Sequence, residues 1–450
     1  MTVPNVLVVL SDQQRPDTIG VYGQSLEVTP VLDGLASRGT VFDNAFCVNP
    51  VCGPARASLQ SGRWPTAIGC WRNGLALPTE VPTLADRLRA VGYRTGYVGK
   101  WHLASDIGPR LPAGRPRASF IKSPIPPERR GGYTDAWAAA DALELTSTPY
   151  AGHLWDEHGD EIALSGYRVD AVGDVAVDRL SRLATGDDPF LLFVSFLEPH
   201  HQNNRFRTIG PKGWASRYRD FEVPGDLAGT LGDWRWNYAQ SLAACAAIDT
   251  NVGRLLDTLR ATGRLDDTVV VYASDHGSHY RTRNLEYKRS CHEASINVPL
   301  IIAGPGFDLG ARDDRLVTHL DLLPTLVHAA DGELTDELDG RPLQQTDSST
   351  PSWRDEVLIQ ISESQIGRAL RTDRYTYAAV APGRNPLRGH LAAAAHTYVE
   401  THCYDLEADP YQRHNLAGST EHRTLRAGLA KRLRDAIERV EGVRPRVLPR

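Results

Sequence analysis

The chain has 450 residues, of which 41% are hydrophobic and 23% charged, so it can bury a large core and is neither disordered nor fibrous. Its 50 Lys and Arg residues against 55 Asp and Glu residues give a net charge of −5. That balance excludes a general nucleic-acid binder, whose basic surface must offset phosphate charge. An anionic substrate therefore needs local positive charge.

The N-terminal residues form the first predicted element. Val6 to Leu10 is a short β-branched apolar run that ends in a polar Ser-Asp-Gln segment, the pattern of a buried strand that opens into a loop. Met1 to Leu10 lacks a basic region and a cleavage site, and its apolar run is much shorter than a membrane span. We therefore expect a cytoplasmic protein without a membrane partner, with a leader removed ahead of residue 1 as the alternative.

Strand patterns then alternate with helical patterns along most of the chain. Strands are predicted at 190–196, 268–274 and 298–303, and helices at 28–38, 83–91, 169–184 and 249–262. This alternation predicts an α/β fold with a large, mostly parallel sheet sandwiched by helices, with ligands at the carboxyl ends of its strands. Three polar segments then project from one edge of the sheet: Asp12, Glu198-Pro199-His200 and Asp275-His276.

Two stretches, 104–165 and 201–235, are rich in Pro, Gly, Arg and Trp and are predicted to be long loops over that edge. Their tryptophans favour either loop anchoring or a sugar-stacking wall; they are Trp137, Trp155, Trp214, Trp234 and Trp236. A Ser/Thr/Asp/Pro stretch near 345–353 predicts a boundary between a catalytic domain, residues 1–350, and a C-terminal α+β subdomain, residues 351–450. Within the subdomain we expect strands at 357–361 and 375–380 and a helix at 421–440.

The most specific motif is C-G-P-A-R-A-S-L-Q-S-G-R at residues 52–63. It resembles the signature of the type I sulfatases, members of the alkaline phosphatase superfamily. In that family the cysteine is oxidised after translation to formylglycine, whose hydrated aldehyde is the nucleophile. The resemblance implies that Cys52 is the modified residue and that a formylglycine-generating or equivalent modifying enzyme is a partner. The remaining cysteines lack the paired spacing of a zinc site.

Further motifs follow in the family's order and cover nearly the whole chain. They are Asn5 to Gln13 (first strand and metal-binding end), Gly99-Lys100-Trp101-His102-Leu103 (the G-K-W-H motif), Pro199-His200 (the histidine loop), Ser274-Asp275-His276-Gly277 (second metal strand), Lys288 before Glu293 and Pro299, and Cys403 to Pro410 with Asn415-Leu416. His292 stands where the family has tyrosine, a departure without a clear catalytic consequence.

The predicted metal ligands are Asp12, Gln13, Asp275 and His276. Oxygen donors with one imidazole suit one divalent cation, for which we expect Ca²⁺, with Mg²⁺ and Mn²⁺ as alternatives. Many members of the family have aspartate in place of Gln13 and asparagine in place of His276. The variant found here also resembles phosphonate monoester hydrolases of the superfamily, and choline-type sulfatases carry similar substitutions. Both sulfate and phosphonate substrates therefore remain open.

The resemblance implies a catalytic set of Cys52, Arg56, Lys100, His102, His200 and Lys288. Arg56 would hold the nucleophile, and Lys100 and Lys288 would neutralise the sulfate oxygens. His200 would protonate the departing oxygen together with Lys288, and His102 would take the proton whose loss releases sulfate.

The residues after His200 are candidates for substrate binding. His201, Gln202 and Asn203 are predicted to contact hydroxyl groups of a glycan, with ordinary solvated side chains as the alternative. We predict hydrolysis of a sulfate monoester on a sulfated saccharide or related small molecule. Phosphonate monoester or phosphodiester hydrolysis by the same site is the alternative, and a binding protein without turnover is a second one.

Overall fold

Two β-sheets organise the computed structural model, which describes residues 3–109, 111–344, 352–383 and 388–450. The large sheet contains β1 (Asn5–Asp12), β2 (Gly39–Phe46), β3 (Arg94–Lys100), β4 (Ala136–Ala140), β5 (Ser147–Thr148), β6 (Ala151–Asp156), β7 (Glu161–Ser165), β8 (Phe190–Pro199), β9 (Thr268–Ser274), β10 (Leu300–Ala303) and β11 (Ala311–Thr318). The small sheet contains β12 (Glu356–Ile361), β13 (Gly367–Thr372), β14 (Tyr375–Val380), β15 (Thr397–Asp405) and β16 (Arg446–Leu448).

Helices lie on both faces of the large sheet and on the small one. They are α1 (Pro30–Ala36), α2 (Cys52–Ser61), α3 (Leu84–Ala90), α4 (Leu143–Thr146), α5 (Arg168–Ala184), α6 (Trp234–Ala261), α7 (Glu293–Ile296), α8 (Leu322–Ala329), α9 (Arg388–Leu391) and α10 (Arg423–Glu441). Within the described part of the chain, no helix combines the length and the apolar character needed to cross a bilayer.

The large sheet is mostly parallel, as predicted. Its strand order is β11-β2-β10-β9-β1-β8-β3-β4-β6-β5, with β7 on β6. β1 lies between β8 and β9 and is parallel to both, whereas β10 is antiparallel to both of its neighbours. Alternate residues of β1 enter two separate core clusters, with Val6 and Val8 in one and Leu7 and Val9 in the other. A strand buried on both faces therefore needs the continuous apolar run that the sequence shows.

The helix α10 and the small sheet form most of a third core cluster, which Val48, Trp64 and Leu320 also enter. Leu429, Leu433 and Ile437 on one face of α10 pack against Leu370 and Tyr377 of the small sheet. This arrangement confirms a smaller α+β unit after the large sheet. The predicted boundary near 345–353 falls largely on residues 345–351, which lie outside the described residues.

Two sequence predictions were wrong in part. The segment 104–165, expected to be loop, contributes β4, β5, β6 and β7 to the large sheet. Its first strand has the sequence A-W-A-A-A, which carries no β-branched run, so pairing with β3 rather than local propensity makes it a strand. The helix predicted at 249–262 begins instead at Trp234. Trp137 and Trp155 are buried, which favours anchoring over sugar stacking for them, whereas Trp236 is exposed.

Candidate active site

Neighbouring strands of the large sheet end at one edge and bring the predicted polar groups together. β1 ends at Asp12, β3 at Lys100, and β8 just before His200, while Asp275 directly follows β9. These strands run parallel, so their carboxyl ends meet at the same edge. Cys52 enters this centre as the first residue of α2, a helix whose residues are all buried.

Two unusual backbone positions bring these strand ends into place. Gly99 has φ 107°, and a Cβ there would lie 2.0 Å from the carbonyl oxygen of Ser195, so only glycine lets β3 approach β8 this closely ahead of Lys100. Gln13 has φ 69°, a left-handed conformation that is uncommon for residues other than glycine. Its backbone N–H donates to Asp275 Oδ1 at 3.0 Å, which ties the end of β1 to the end of β9.

Several buried side chains with metal-binding atoms lie close together. Ligand atoms of Asp12, Cys52, Asp275 and His276 all lie within 4.8 Å of one another. The Oε1 atom of Gln13 is buried and has no hydrogen-bond partner among the described residues. Because a buried oxygen without a donor is costly, a cation at this place would compensate it. Two carboxylates, an amide oxygen and an imidazole therefore fit a divalent cation.

The tautomer of His276 follows from its neighbour. Its Nδ1 lies 3.0 Å from the carbonyl oxygen of Gly277, so Nδ1 carries the proton and donates it. The unprotonated Nε2 then faces the centre, 3.3 Å from Cys52 Sγ and 2.8 Å from Lys288 Nζ. This is the state in which an imidazole can bind a metal ion.

Cys52 lies among cations. Lys288 Nζ donates to its Sγ at 2.9 Å. Burial by itself raises the pKa of the Cys52 thiol, but the charges of Lys100 and Lys288 hold that pKa well below its ordinary value. The charged neighbours of Cys52 therefore favour an anionic group at residue 52.

Arg56 bridges the two aspartates. Its Nη2 donates to Asp12 Oδ2 at 3.1 Å and its Nε to Asp275 Oδ2 at 3.2 Å. Lys100 Nζ donates to the same Oδ2 of Asp12 at 2.8 Å. Burial opposes ionisation of Asp12, yet Lys100, His200 and Arg56 hold its pKa well below the usual range. Asp275 behaves oppositely, because burial and the neighbouring Asp12 carboxylate raise its pKa.

The predicted histidines occupy one wall of the centre. His200 Nδ1 lies 2.6 Å from the carbonyl oxygen of His201, so this nitrogen carries a proton and leaves Nε2 for a ligand. His201 stacks between His200 and Tyr287, and burial lowers its pKa, as does the nearby charge of Lys288. His102 is half-buried, with φ 62°, and its Nδ1 has no hydrogen-bond partner among the described residues.

The other two predicted substrate-binding residues differ in their surroundings. Gln202 is buried, accepts a hydrogen bond from Arg168 at 3.2 Å and donates to the carbonyl oxygen of Ser147 at 3.4 Å. These contacts fix it in the wall of the site. Asn203 is exposed and lines a groove of about 470 Å³. Glu144 lines the same groove, so the groove adjoins Lys100, to which Glu144 is paired.

Sequence reasoning missed several groups of the centre. Glu144 Oε2 lies 3.3 Å from Lys100 Nζ; burial opposes its ionisation, but Lys100 and His102 keep its pKa lowered. It follows β4, so the rule that strands end at ligand sites would have indicated it had that strand been recognised. Asn73 accepts from the N–H of Gly53 at 2.9 Å, and Ser195 Oγ accepts from Arg56 at 2.7 Å. No motif marks either one.

Comparisons with known proteins give a consistent picture. The model of the sulfatase family matches residues 4–332, and a model described as the C-terminal part of N-sulphoglucosamine sulphohydrolase matches residues 284–439. An ulvan-active sulfatase of Formosa agariphila is 31% identical, over 96% of this chain and 80% of that protein.

Solved structures share the fold. One, determined in complex with its substrate D-glucosamine-2-N,6-O-disulfate, is similar with a TM-score of 0.76 and 22% identity, over 99% of both chains. The phosphonate monoester hydrolase of Agrobacterium radiobacter is similar with a TM-score of 0.71 and 21% identity, over 96% of this chain and 94% of that one.

Proposed function

The chain belongs to the sulfatase family and is a sulfuric ester hydrolase, and we propose that its substrate is a sulfate monoester carried by a saccharide. The observation that carries the proposal is the buried centre in which Lys288 contacts Cys52 and Arg56 bridges two aspartates. The adjoining groove supports the saccharide, because its lining offers neutral hydrogen-bonding groups next to one carboxylate: Thr146, Ser147, Thr148, Asn203, Asn204 and Glu144.

Similar proteins support the same substrate class. The Formosa agariphila relative is named for its activity on ulvan, and one similar structure holds a disulfated glucosamine as its substrate. Hydroxyl groups of a sugar both donate and accept hydrogen bonds, and the side chains of Thr148 and Asn203 in the groove can do the same. We propose that Asn203 makes such a contact.

Two groups complete the proposed centre. Cys52 is oxidised to formylglycine by a modifying enzyme, and Asp12, Gln13, Asp275 and His276 hold one divalent cation, for which Ca²⁺ is our first choice. When present, the hydrated aldehyde supplies a nucleophilic oxygen, and the cation supplies positive charge that several buried anions require. The C-x-P-x-R spacing of residues 52–56 supports the modification.

Lys100 and Lys288 offset the negative charge of the sulfate group, and Arg56 offsets that of the two aspartates. A sulfate monoester spreads its negative charge over several oxygens, so its transfer needs fixed cations. Lys288 lies against residue 52, and Lys100 lies against Asp12, so both are within reach of an anion bound at residue 52. Arg56 holds the two aspartates in a fixed relation and cannot lose its proton.

Proton transfer falls to three other residues. The raised pKa of Asp275 favours taking a proton from the nucleophile. His200, with Nδ1 fixed by the His201 carbonyl, presents Nε2 to donate a proton to the departing oxygen. His102 lies beside residue 52 and accepts the proton whose loss frees sulfate.

Substrate preference tests the proposal. We expect higher kcat/KM for sulfated mono- and disaccharides than for a simple aryl sulfate, and the lowest value for phenyl phosphonate. A phosphonate monoester is the second candidate substrate, because Gln13 and His276 resemble the ligand set of phosphonate monoester hydrolases. A dominant rate on phenyl phosphonate would overturn the assignment of a sulfate substrate. Equal rates on aryl and sugar sulfates would overturn the proposal that a saccharide carries the sulfate.

A further inference from the structure

We propose that His201 is a positioning residue that fixes which end of the Gln13 side-chain amide faces the cation. The proposal rests on the metal site of the proposed function and adds a residue that is not itself a ligand. It reassigns His201 from sugar contact to control of the metal site.

A glutamine ligand has an orientation problem that an aspartate does not have. Both ends of a carboxylate are oxygens, so either end can bind a cation. An amide has one oxygen and one NH₂ group, and a reversed amide would point two N–H donors at the cation. A metal site built with Gln13 therefore needs a partner that distinguishes the two ends of the amide.

His201 supplies that distinction. Its Nδ1 lies 3.4 Å from Gln13 Nε2, a long hydrogen bond. With the imidazole proton on Nε2, which is the tautomer that we propose, Nδ1 accepts this bond from the amide NH₂. The same nitrogen cannot accept from Oε1, so the reversed amide loses this bond. In the observed orientation Oε1 is buried and has no hydrogen-bond partner among the described residues. This oxygen is therefore available to bind a cation.

The His201 ring is itself held in place. It stacks on His200 with ring centroids 4.3 Å apart and on Tyr287 with centroids 4.0 Å apart, nearly parallel to both. The Tyr287 hydroxyl donates to Asp233 Oδ2 at 2.5 Å, and Arg281 lies 4.7 Å from the centroid of the Tyr287 ring. The stack fixes the plane of the imidazole and hence the direction in which Nδ1 points.

Calorimetric titration of the EDTA-treated protein with Ca²⁺, and with Mg²⁺ in parallel, tests the proposal. The variants are His201→Phe, which keeps an aromatic ring in the stack but has no nitrogen, Gln13→Asp, and the double variant. We expect His201→Phe to weaken binding of the tighter ion by about 10-fold or more, the usual effect of losing a group that orients a ligand. In the Gln13→Asp background the same change should alter the affinity by no more than about twofold, since a carboxylate needs no orientation.

Controls separate the inference from the proposed metal site. His158→Ala removes an exposed imidazole and should leave the affinity unchanged. Asp12→Ala should abolish binding, and if it does not, the proposed metal site is wrong. If Asp12→Ala abolishes binding but His201→Phe has no effect, or has the same effect in both backgrounds, His201 does not position Gln13. Should His201→Phe fail to fold by circular dichroism, His201→Ala replaces it with the same criteria.

Discussion

The molecule has two buried clusters of ion-paired side chains, one around Arg368 and Glu441 in the subdomain and one at the catalytic edge of the large sheet. The two clusters differ in whether all of their polar atoms have partners. Arg368 of β13 donates to Glu441 of α10 at 2.6 Å, and its remaining nitrogens reach the carbonyl oxygens of Gly367 and Ala393, both at 2.7 Å. At the catalytic edge, by contrast, Gln13 Oε1 and His102 Nδ1 have no hydrogen-bond partner in the described ranges. The first cluster is completed by protein groups and stabilises the subdomain, whereas the second leaves groups for ligands.

Removal of the side chain of residue 52 should have the largest effect on activity. We expect Cys52→Ala to lower kcat on a sulfated substrate by about 10³-fold or more, because nothing else in the centre can take the place of residue 52. The thermal unfolding midpoint should change little, since the lost side chain is small. An unchanged kcat would refute the assigned role.

Loss of one lysine should have the next largest effect. Lys288→Met keeps the apolar stem but removes the charge beside residue 52, and we expect kcat/KM to fall by about 10²- to 10³-fold, as for the loss of one preorganised donor. Lys122→Met is the matched control, because Lys122 is exposed. Equal kinetics for the two variants would show that Lys288 does not act on the substrate.

For the cluster around Arg368 and Glu441 we expect the opposite result, a loss of stability with little change in activity. Arg368→Met leaves Glu441 buried without its cation, which should cost about 3 kcal/mol of unfolding free energy. Urea unfolding measures the loss, and kcat of the folded variant should stay within about twofold of the wild type. A large fall in kcat with unchanged stability would mean that the two clusters are not separate in function.

Asp249 is a buried carboxylate whose hydrogen bonds come from backbone N–H groups, in contrast to the ion-paired Asp12. Asp249 on α6 accepts the backbone N–H groups of Val31 and Leu32 at 3.1 and 2.8 Å, and burial raises its pKa to about 7. The unfolded value is about 3.9, so the folded state binds the extra proton between these values. Stability should therefore fall as pH rises from about 4 to 7 and level off above.

Asp249→Asn tests this pH dependence. Between pH 5 and pH 8 the free energy of unfolding should fall less in the variant than in the wild type, by about 2–3 kcal/mol for a pKa raised from about 3.9 to about 7. The pKa of Asp12 is displaced in the opposite direction, because the charges of Lys100 and Arg56 face that carboxylate. Identical pH profiles for variant and wild type would contradict the effect of burial on Asp249.

The parts of the site that the sequence could predict are those that depend on local patterns. Asp12 and Asp275 follow short apolar runs, so the strand pattern predicts that they lie at the same sheet edge, whereas Lys100 is indicated only by the motif Gly99-Lys100-Trp101-His102 that the chain shares with the family. Glu144 depends on β4, whose alanine-rich sequence does not indicate a strand. The contact between His201 and Gln13 joins residues 188 positions apart through a ring stack, and no local pattern carries that information.

We expect turnover to require the oxidised form of Cys52. Mass spectrometry of the peptide containing residue 52 gives the fraction converted to the aldehyde, and kcat measured on the same preparation gives the activity. Expression with different amounts of the modifying enzyme should yield preparations whose kcat rises in proportion to the aldehyde fraction and extrapolates to near zero without it. Full activity in a preparation whose residue 52 is an unmodified thiol would contradict the account.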